Sequence, residues 1–193
     1  VVDGLSAAGV TFELGRAVTR VDRAEQRAHL TLDDGRVVDA DIVISAVGLR
    51  PRTALAKAAG LAVGNGIQVN RALETSAEDV YALGDCAEVD GHSLLYVLPL
   101  MACSRALAKT LTGTRTAVSY GVMPVMVKTP SCPVVVAPPP AGAEGAWQFD
   151  GVSPHLSGRF VDAAGRLLGF ALSGDRVQEK QQLSREIPPI HAD

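Results

Sequence analysis

The segment Ile42-Val43-Ile44-Ser45-Ala46-Val47 is apolar almost without break and stops at Gly48. A strand with one wet face alternates apolar and polar residues. A run like this one therefore predicts a strand buried on both faces, as in a parallel sheet covered by helices. A second buried strand is predicted at Val80-Tyr81-Ala82-Leu83, running into Gly84-Asp85. Open α/β sheets bind ligands in the crevice beyond the carboxyl ends of such strands. The two runs point to an α/β fold with a ligand crevice near Gly48 and Gly84.

The rest of the chain supplies the other elements. Ala28, Leu30 and Leu32 alternate with His29, Thr31 and Asp33 up to the turn Asp33-Asp34-Gly35-Arg36, and Val37-Val38 begins the return strand, so a hairpin is expected here. A short helix end is read at Leu5 to Ala8, stopped by Gly9, and a strand at Val10 to Leu14. Thr53 to Ala59 reads as a helix ended by Gly60, and Gly64-Asn65-Gly66 as a turn before the extended Ile67-Gln68-Val69. Pro99 is expected to open a helix that runs to about Leu111 and closes at Gly113.

Past Gly113 the prolines cluster and separate short β-branched stretches such as Val125-Met126-Val127 and Val134-Val135-Val136. This predicts a separate, mostly antiparallel unit. Within it Gly158 to Asp162 should pair with Arg166 to Leu172 across Ala163-Ala164-Gly165, and Asp175 should cap a final helix. Pro138 to Ala143 reads as an exposed loop.

Composition removes several classes of function. With 47% hydrophobic residues and a net charge of -3, the chain is too apolar and too weakly charged to be disordered. Eighteen basic against 21 acidic residues give no general electrostatic reason to bind nucleic acid or an acidic membrane surface. No apolar run approaches the roughly 18 to 20 residues that span a bilayer. The first residue is Val1, with no basic n-region and apolar core after it, so the chain is expected to lack its natural start or to be part of something longer. Cys86, Cys103 and Cys132 form no C-x-x-C pair and His29, His92 and His155 show no ligand spacing, so neither a disulfide framework nor a metal site is expected. The expected location is the reducing cytoplasm.

Gly84-Asp85 puts a carboxylate just past a strand end, where it can accept hydrogen bonds from ligand hydroxyls while the glycine admits the ligand to the backbone. The same dipeptide also makes ordinary turns. More decisive are Thr75 to Asp85 taken together with Asp41 to Pro51, which resemble the paired signatures of the FAD-dependent pyridine-nucleotide oxidoreductases. Leu94 to Ala102 and Val127-Lys128-Thr129-Pro130-Ser131-Cys132-Pro133 are similar to the rubredoxin reductase branch of that family.

The resemblance implies partial FAD/NAD-binding doubly wound sheets, Rossmann-like and three-layered, followed by a small α+β domain. Residues 1–47 would end the NAD-binding domain, 48–113 form the second FAD-binding segment, and 114–193 the C-terminal domain. Gly48 and Pro51 mark the crossover between the first two, and Asp85 corresponds to the aspartate that hydrogen-bonds the ribityl chain of FAD. The Gly-rich phosphate-binding turns of the family are absent from the sequence, so the chain is read as the carboxyl-terminal half of an enzyme, incomplete and inactive alone.

The implied activity is transfer of hydride from NADH to FAD and of single electrons onward to rubredoxin or a similar small iron-containing carrier. A reductase of ferredoxin, nitrite or oxygen, and an inactive truncated binding module, are the alternatives. The expected cofactor-binding residues are Gly48, Gly84, Asp85, Val97, Leu98 and Lys128. The amino end of the Pro99 helix offers free backbone donors near Val97 and Leu98 for charge that develops on a reduced ring. Lys128 would add a positive charge at the same edge, though it also reads as a solvated surface lysine. The cofactor carries the chemistry, so no side chain here is assigned as catalytic.

Overall fold

The structure, a computed structural model, describes residues 1–24, 26–129 and 132–191. It contains two compact units, residues 1–48 and 49–193.

The first unit opens with a helix, α1 (Val2–Ala7), that is closed by Gly9 at φ +90°. Three antiparallel strands follow in the order β1 (Val18–Ala24), β2 (Arg27–Leu32), β3 (Val37–Ala40). The β2–β3 hairpin is the one expected: Leu30 pairs with Val38, and Gly35 takes the left-handed φ of +85° that the Asp-Gly turn needs. Ion pairs gird the turn, with Arg36 reaching Glu13 at 2.6 Å and Asp34 at 2.8 Å. Strand β1 was not anticipated, because Val18-Thr19-Arg20-Val21-Asp22-Arg23 breaks the alternation that marks a half-buried strand. The strand expected at Val10 to Leu14 does not form, and these residues lead without regular structure into β1.

The run 42–47 is also corrected. Among the described residues no strand pairs with it, and Ile42, Ile44 and Val47 are exposed. A buried strand exists only where neighbouring strands take its amide and carbonyl groups, and β3 ends at Ala40 before the run begins.

The second unit has two cores. In the first, a short helix α2 (Ala54–Ala58) precedes β4 (Ile67–Val69), which pairs in parallel with β5 (Ala87–Val89). The long helix α3 (Val97–Leu111) lays Pro99, Cys103, Ala106 and Leu107 inward at the spacing of one helical face. Cys103, Ala106 and Leu107 pack with Val69, Leu73, Val89, Val118 and Tyr120. The helix begins two residues earlier than expected, so Pro99 sits at its third position. There its missing N–H still costs nothing, because first-turn amides have no acceptor within the helix.

The predicted strand at Val80 to Leu83 is replaced by a tight return. Asp79 turns through φ +58°, Thr75 donates to the Val80 carbonyl, and Ala82 donates to that of Leu73. Those bonds leave no parallel ladder, and Tyr81 keeps a single antiparallel bridge to Glu74.

In the second core, β6 (Val125–Val127), β7 (Val134–Ala137), β8 (Ala146–Val152), β9 (His155–Val161) and β10 (Leu167–Ser173) form an antiparallel sheet in the order β6-β7-β10-β9-β8. The expected pairing of the last two strands is present, with Phe170 opposite Arg159. Strand β8 was missed, although Trp147 and Phe149 alternate with Gln148 and Asp150. Helix α4 (Lys180–Glu186) buries Leu183 against Val135, Phe170 and Leu172. Asp175 is not its cap. The chain enters through a 3-10 turn, Gly174–Glu179, in which His155 Nδ1 accepts the Asp175 amide at 3.0 Å.

Candidate functional site

The strongest local convergence lies in the first core of the second unit. Residues Gly84–Cys86 form a 3-10 turn immediately before β5, and this turn packs against α3. Gly84 adopts φ +80°, and a side chain there would begin 3.2 Å from Leu100 Cδ1, in the first turn of α3. The positive φ favours glycine here, and a side chain would also press on the end of Leu100. Asp85, next in the chain, is exposed and free to meet a ligand.

The amino end of α3 carries no side-chain cap, with Tyr96 at the N-cap in extended conformation. Because Pro99 has no N–H, Val97 and Leu98 supply the first-turn amides that lack an intrahelical acceptor. Both residues are exposed. An acceptor carboxylate, a glycine that clears space, and two free donors at the positive end of a helix dipole suit a ligand with hydroxyls and a developing anion.

Of the other expected residues, Lys128 follows β6 directly and is exposed, whereas Gly48 ends the first unit at φ +97°. The motif to which Lys128 belongs includes Pro130 and Ser131, which lie outside the described residues. Within the second unit an open cleft of about 510 Å³ is lined by Leu49, Arg50, Pro51, Gly64, Asn65, Ser93 and Leu95. The hydroxyl of Ser93 is buried there without a hydrogen-bond partner among the described residues.

Beneath the amino half of α3 lies a polar cluster that no sequence motif announced. Cys103 Sγ and Tyr120 Oη are 3.0 Å apart and buried. Burial first, and the Cys103 contact second, push the Tyr120 hydroxyl well above the usual tyrosine range. His191 stacks on the Tyr120 ring with centroids 4.6 Å apart, and meets His92 edge-on at 5.2 Å. Only the burial of Tyr120 could have been foreseen, and then only with the partner helix known. The three thiols are unpaired, with Cys103 and Cys132 buried and Cys86 half-buried. Among the described residues no group of three or more metal-type ligands assembles. No helix among them is long and apolar enough to cross a membrane.

The parallel β4–β5 pair, the helix α3 beside the Gly84-Asp85 turn, and the antiparallel C-terminal sheet make an α/β part with a small α+β domain appended. Comparison with known proteins makes this specific: residues 1–119 match the model described as pyridine nucleotide-disulphide oxidoreductase, and the chain belongs to that family. Residues 117–187 match the model of a rubredoxin binding C-terminal domain.

A rubredoxin-NAD(+) reductase from Alcanivorax borkumensis is 52% identical over 97% of this chain and 49% of its own length. A nitric oxide reductase FlRd-NAD(+) reductase from Aeromonas hydrophila is 40% identical over 95% of this chain and 48% of its length. Among solved structures, a ferredoxin reductase from Rhodopseudomonas palustris superposes with a TM-score of 0.80 at 25% identity, over 96% of this chain and 48% of that one.

The chain spans about half the length of the curated relatives it matches. The expectation that the likeness is that of a carboxyl-terminal half alone is corrected by these matches. The two models together run from residue 1 to residue 187, so the chain as a whole carries the family membership.

Proposed function

We propose that the protein works as an FAD-dependent NADH oxidoreductase that delivers electrons to rubredoxin or a similar small iron-containing carrier. The observation that carries this reading is the Gly84-Asp85 turn seated against the uncapped first turn of α3. The names of the relatives support it, as does the description of the model that matches residues 117–187.

When bound, FAD supplies the chemistry that converts a two-electron hydride donor into a source of single electrons. The chain's own residues hold and tune it. The Asp85 carboxylate would accept hydrogen bonds from the ribityl hydroxyls of FAD. The Val97 and Leu98 amides would donate to the ring edge of the bound flavin, and Gly84 would keep that approach clear. Lys128 would add a positive charge at the same edge of the bound ring, and Gly48 would mark the crossing of the chain from the NAD-binding to the FAD-binding segment. In this assignment residues 1–47 complete the NAD-binding domain, 48–113 are the second FAD-binding segment and 114–193 the C-terminal domain. The three unpaired thiols suit a reducing cytoplasm.

The test is NADH-driven reduction of rubredoxin and of a ferredoxin by the flavin-loaded full-length protein, followed by stopped-flow absorbance. Faster reduction of rubredoxin is expected. Equal rates would remove the rubredoxin assignment and leave a general reductase of iron-sulfur carriers, the reading that the ferredoxin reductase fold at a TM-score of 0.80 favours.

A further inference from the structure

His191 is 5% exposed, and neither ring nitrogen has a hydrogen-bond partner among the described residues. Buried polar groups are nearly always satisfied, so a histidine held this way is under constraint. Its backbone amide donates to the Tyr120 carbonyl at 3.1 Å, and its ring lies flat on the Tyr120 ring. The hydroxyl of that same tyrosine meets Cys103, which lies on the buried face of α3. A continuous set of contacts therefore leads from the segment after α4, through Tyr120, to the helix whose first turn faces Gly84-Asp85.

The geometry points to His191 as a positioning residue: in its uncharged form it docks the 187–191 segment on Tyr120 and so fixes the amino end of α3, and on protonation it releases both. The link to the flavin rests on the function proposed above.

The physical reason is the company the ring keeps. Burial disfavours the imidazolium, and His92 and Arg71 add positive charge nearby, so the His191 ring is held below the ordinary histidine range. Asp90 opposes this, as does the Val118 carbonyl, which already accepts from Arg71 Nε at 2.9 Å. Tyr120 stays neutral and contributes no counter-charge. A ring that binds its proton less readily when docked than when free loses docking strength as pH falls below the ordinary value near 6.5. Above that pH the docking is complete.

The experiment uses the flavin-loaded full-length protein and reads amide hydrogen exchange as protection factors from about pH 7.5 to about pH 5.5, bracketing the ordinary histidine value. Protection of the His191 amide and of the amino half of α3 should fall together, by up to roughly tenfold per pH unit. The His191 ring resonances should titrate over the same interval. His191→Leu keeps an apolar plug and removes the proton, so its protection should not change with pH; His191→Gln provides a second non-titrating form should the leucine variant fold poorly. FAD release should accelerate on acidification in the wild type and in neither variant.

Unchanged wild-type protection down to the lowest pH, or the same acid loss in both variants, would overturn the role of His191. Release of the segment without faster FAD loss would overturn its link to α3. If no form of the protein retains flavin, the proposed function falls, while the exchange data still decide whether His191 is a titrating plug.

Discussion

Gly66→Ala is the sharpest probe of how the site is held. The Gly66 backbone runs so close to β5 that a methyl group on it would begin 2.8 Å from the Ala87 carbonyl carbon, 2.8 Å from the Glu88 nitrogen and 2.9 Å from the Cys86 oxygen. All three are backbone atoms, so no rotamer change can make room. Restoring ordinary contact at about 3.5 Å requires the Gly66 backbone and β5 to separate by roughly 0.7 Å. Overpacking of this kind costs about 1–3 kcal/mol, and the substitution should fall at the upper end.

Gly64, two residues earlier, is the control. A methyl group there would meet only the ends of the Glu88 and Gln68 side chains, which can swing away. Moving Glu88 loosens without breaking its bond to the Gly66 amide at 3.0 Å, forfeiting about 1 kcal/mol of the roughly 1.5–3 kcal/mol that a hydrogen bond to a charged group carries. Restriction of the unfolded chain returns about 0.4–1 kcal/mol, so Gly64→Ala should be close to neutral. Thermal unfolding should show a midpoint lowered by roughly 2–4 °C per kcal/mol in Gly66→Ala alone. Because β5 begins directly after the Gly84–Cys86 turn, flavin retention should fall in the same variant. Equal midpoints for the two variants, or a Gly66→Ala protein as stable as the wild type, would refute the close-approach argument.

Three further outcomes are expected. Asp85→Ala should weaken FAD retention by about 1.5–3 kcal/mol, the value of a hydrogen bond to a charged group, and an unchanged dissociation constant by calorimetry would take Asp85 out of the site. Lys128→Met should move the flavin reduction potential downward, as read by spectroelectrochemistry; the same potential in both proteins would return Lys128 to the surface. Glu74 is held at about 2 by Arg115, whose Nε and Nη2 lie 2.8 and 2.7 Å from its oxygens, and secondarily by Asn70. A carboxyl with a depressed folded value favours the fold above its unfolded value of 4.5 and loses that contribution as pH falls toward 2. The acid limb of the stability curve should therefore be shallower in Glu74→Gln, and superimposable limbs in urea titrations at several pH values would contradict this.

What could be read from the sequence was local. The Asp-Gly turn, the glycines that close α1, α2 and α3, and the hairpin of β9 with β10 each depend on residues that are neighbours in the chain, and each forms where expected. Periodicity failed where the fate of a segment rests on distant partners. An apolar run such as 42–47 says that burial would be favourable but not what would provide it, and residues 80–83 found their hydrogen bonds in the return from Leu73 to Thr75 rather than in a parallel ladder. Strand β1 has irregular alternation and is defined by its register with β2, Val21 opposite Leu30, which no single-segment pattern contains. The Gly84-Asp85 turn and the donors at Val97 and Leu98 were legible because glycine and proline mark backbone geometry directly. The Cys103–Tyr120–His191 cluster was not, since its members are 17 and 71 positions apart and meet only when α3 is packed.

The strand order of the C-terminal sheet also dictates how that sheet comes together. The pairs β6–β7, β8–β9 and β9–β10 are hairpins between successive strands, whereas β7 beside β10 joins segments some thirty residues apart. Hairpins close in microseconds, and pairing across a long separation waits on the entropy of closing the intervening chain. Here the intervening chain holds the β8–β9 hairpin, whose own closure shortens the loop that the β7–β10 pairing must close. The connection between them passes over β10 at Gly169, where any side chain would strike the Pro139 nitrogen at 2.6 Å. The sheet thus consists of two sequence-local pieces joined along a single long-range seam, with Val135 opposite Leu172 in it, and pairing across that seam is expected to be slower than closure of the hairpins on either side.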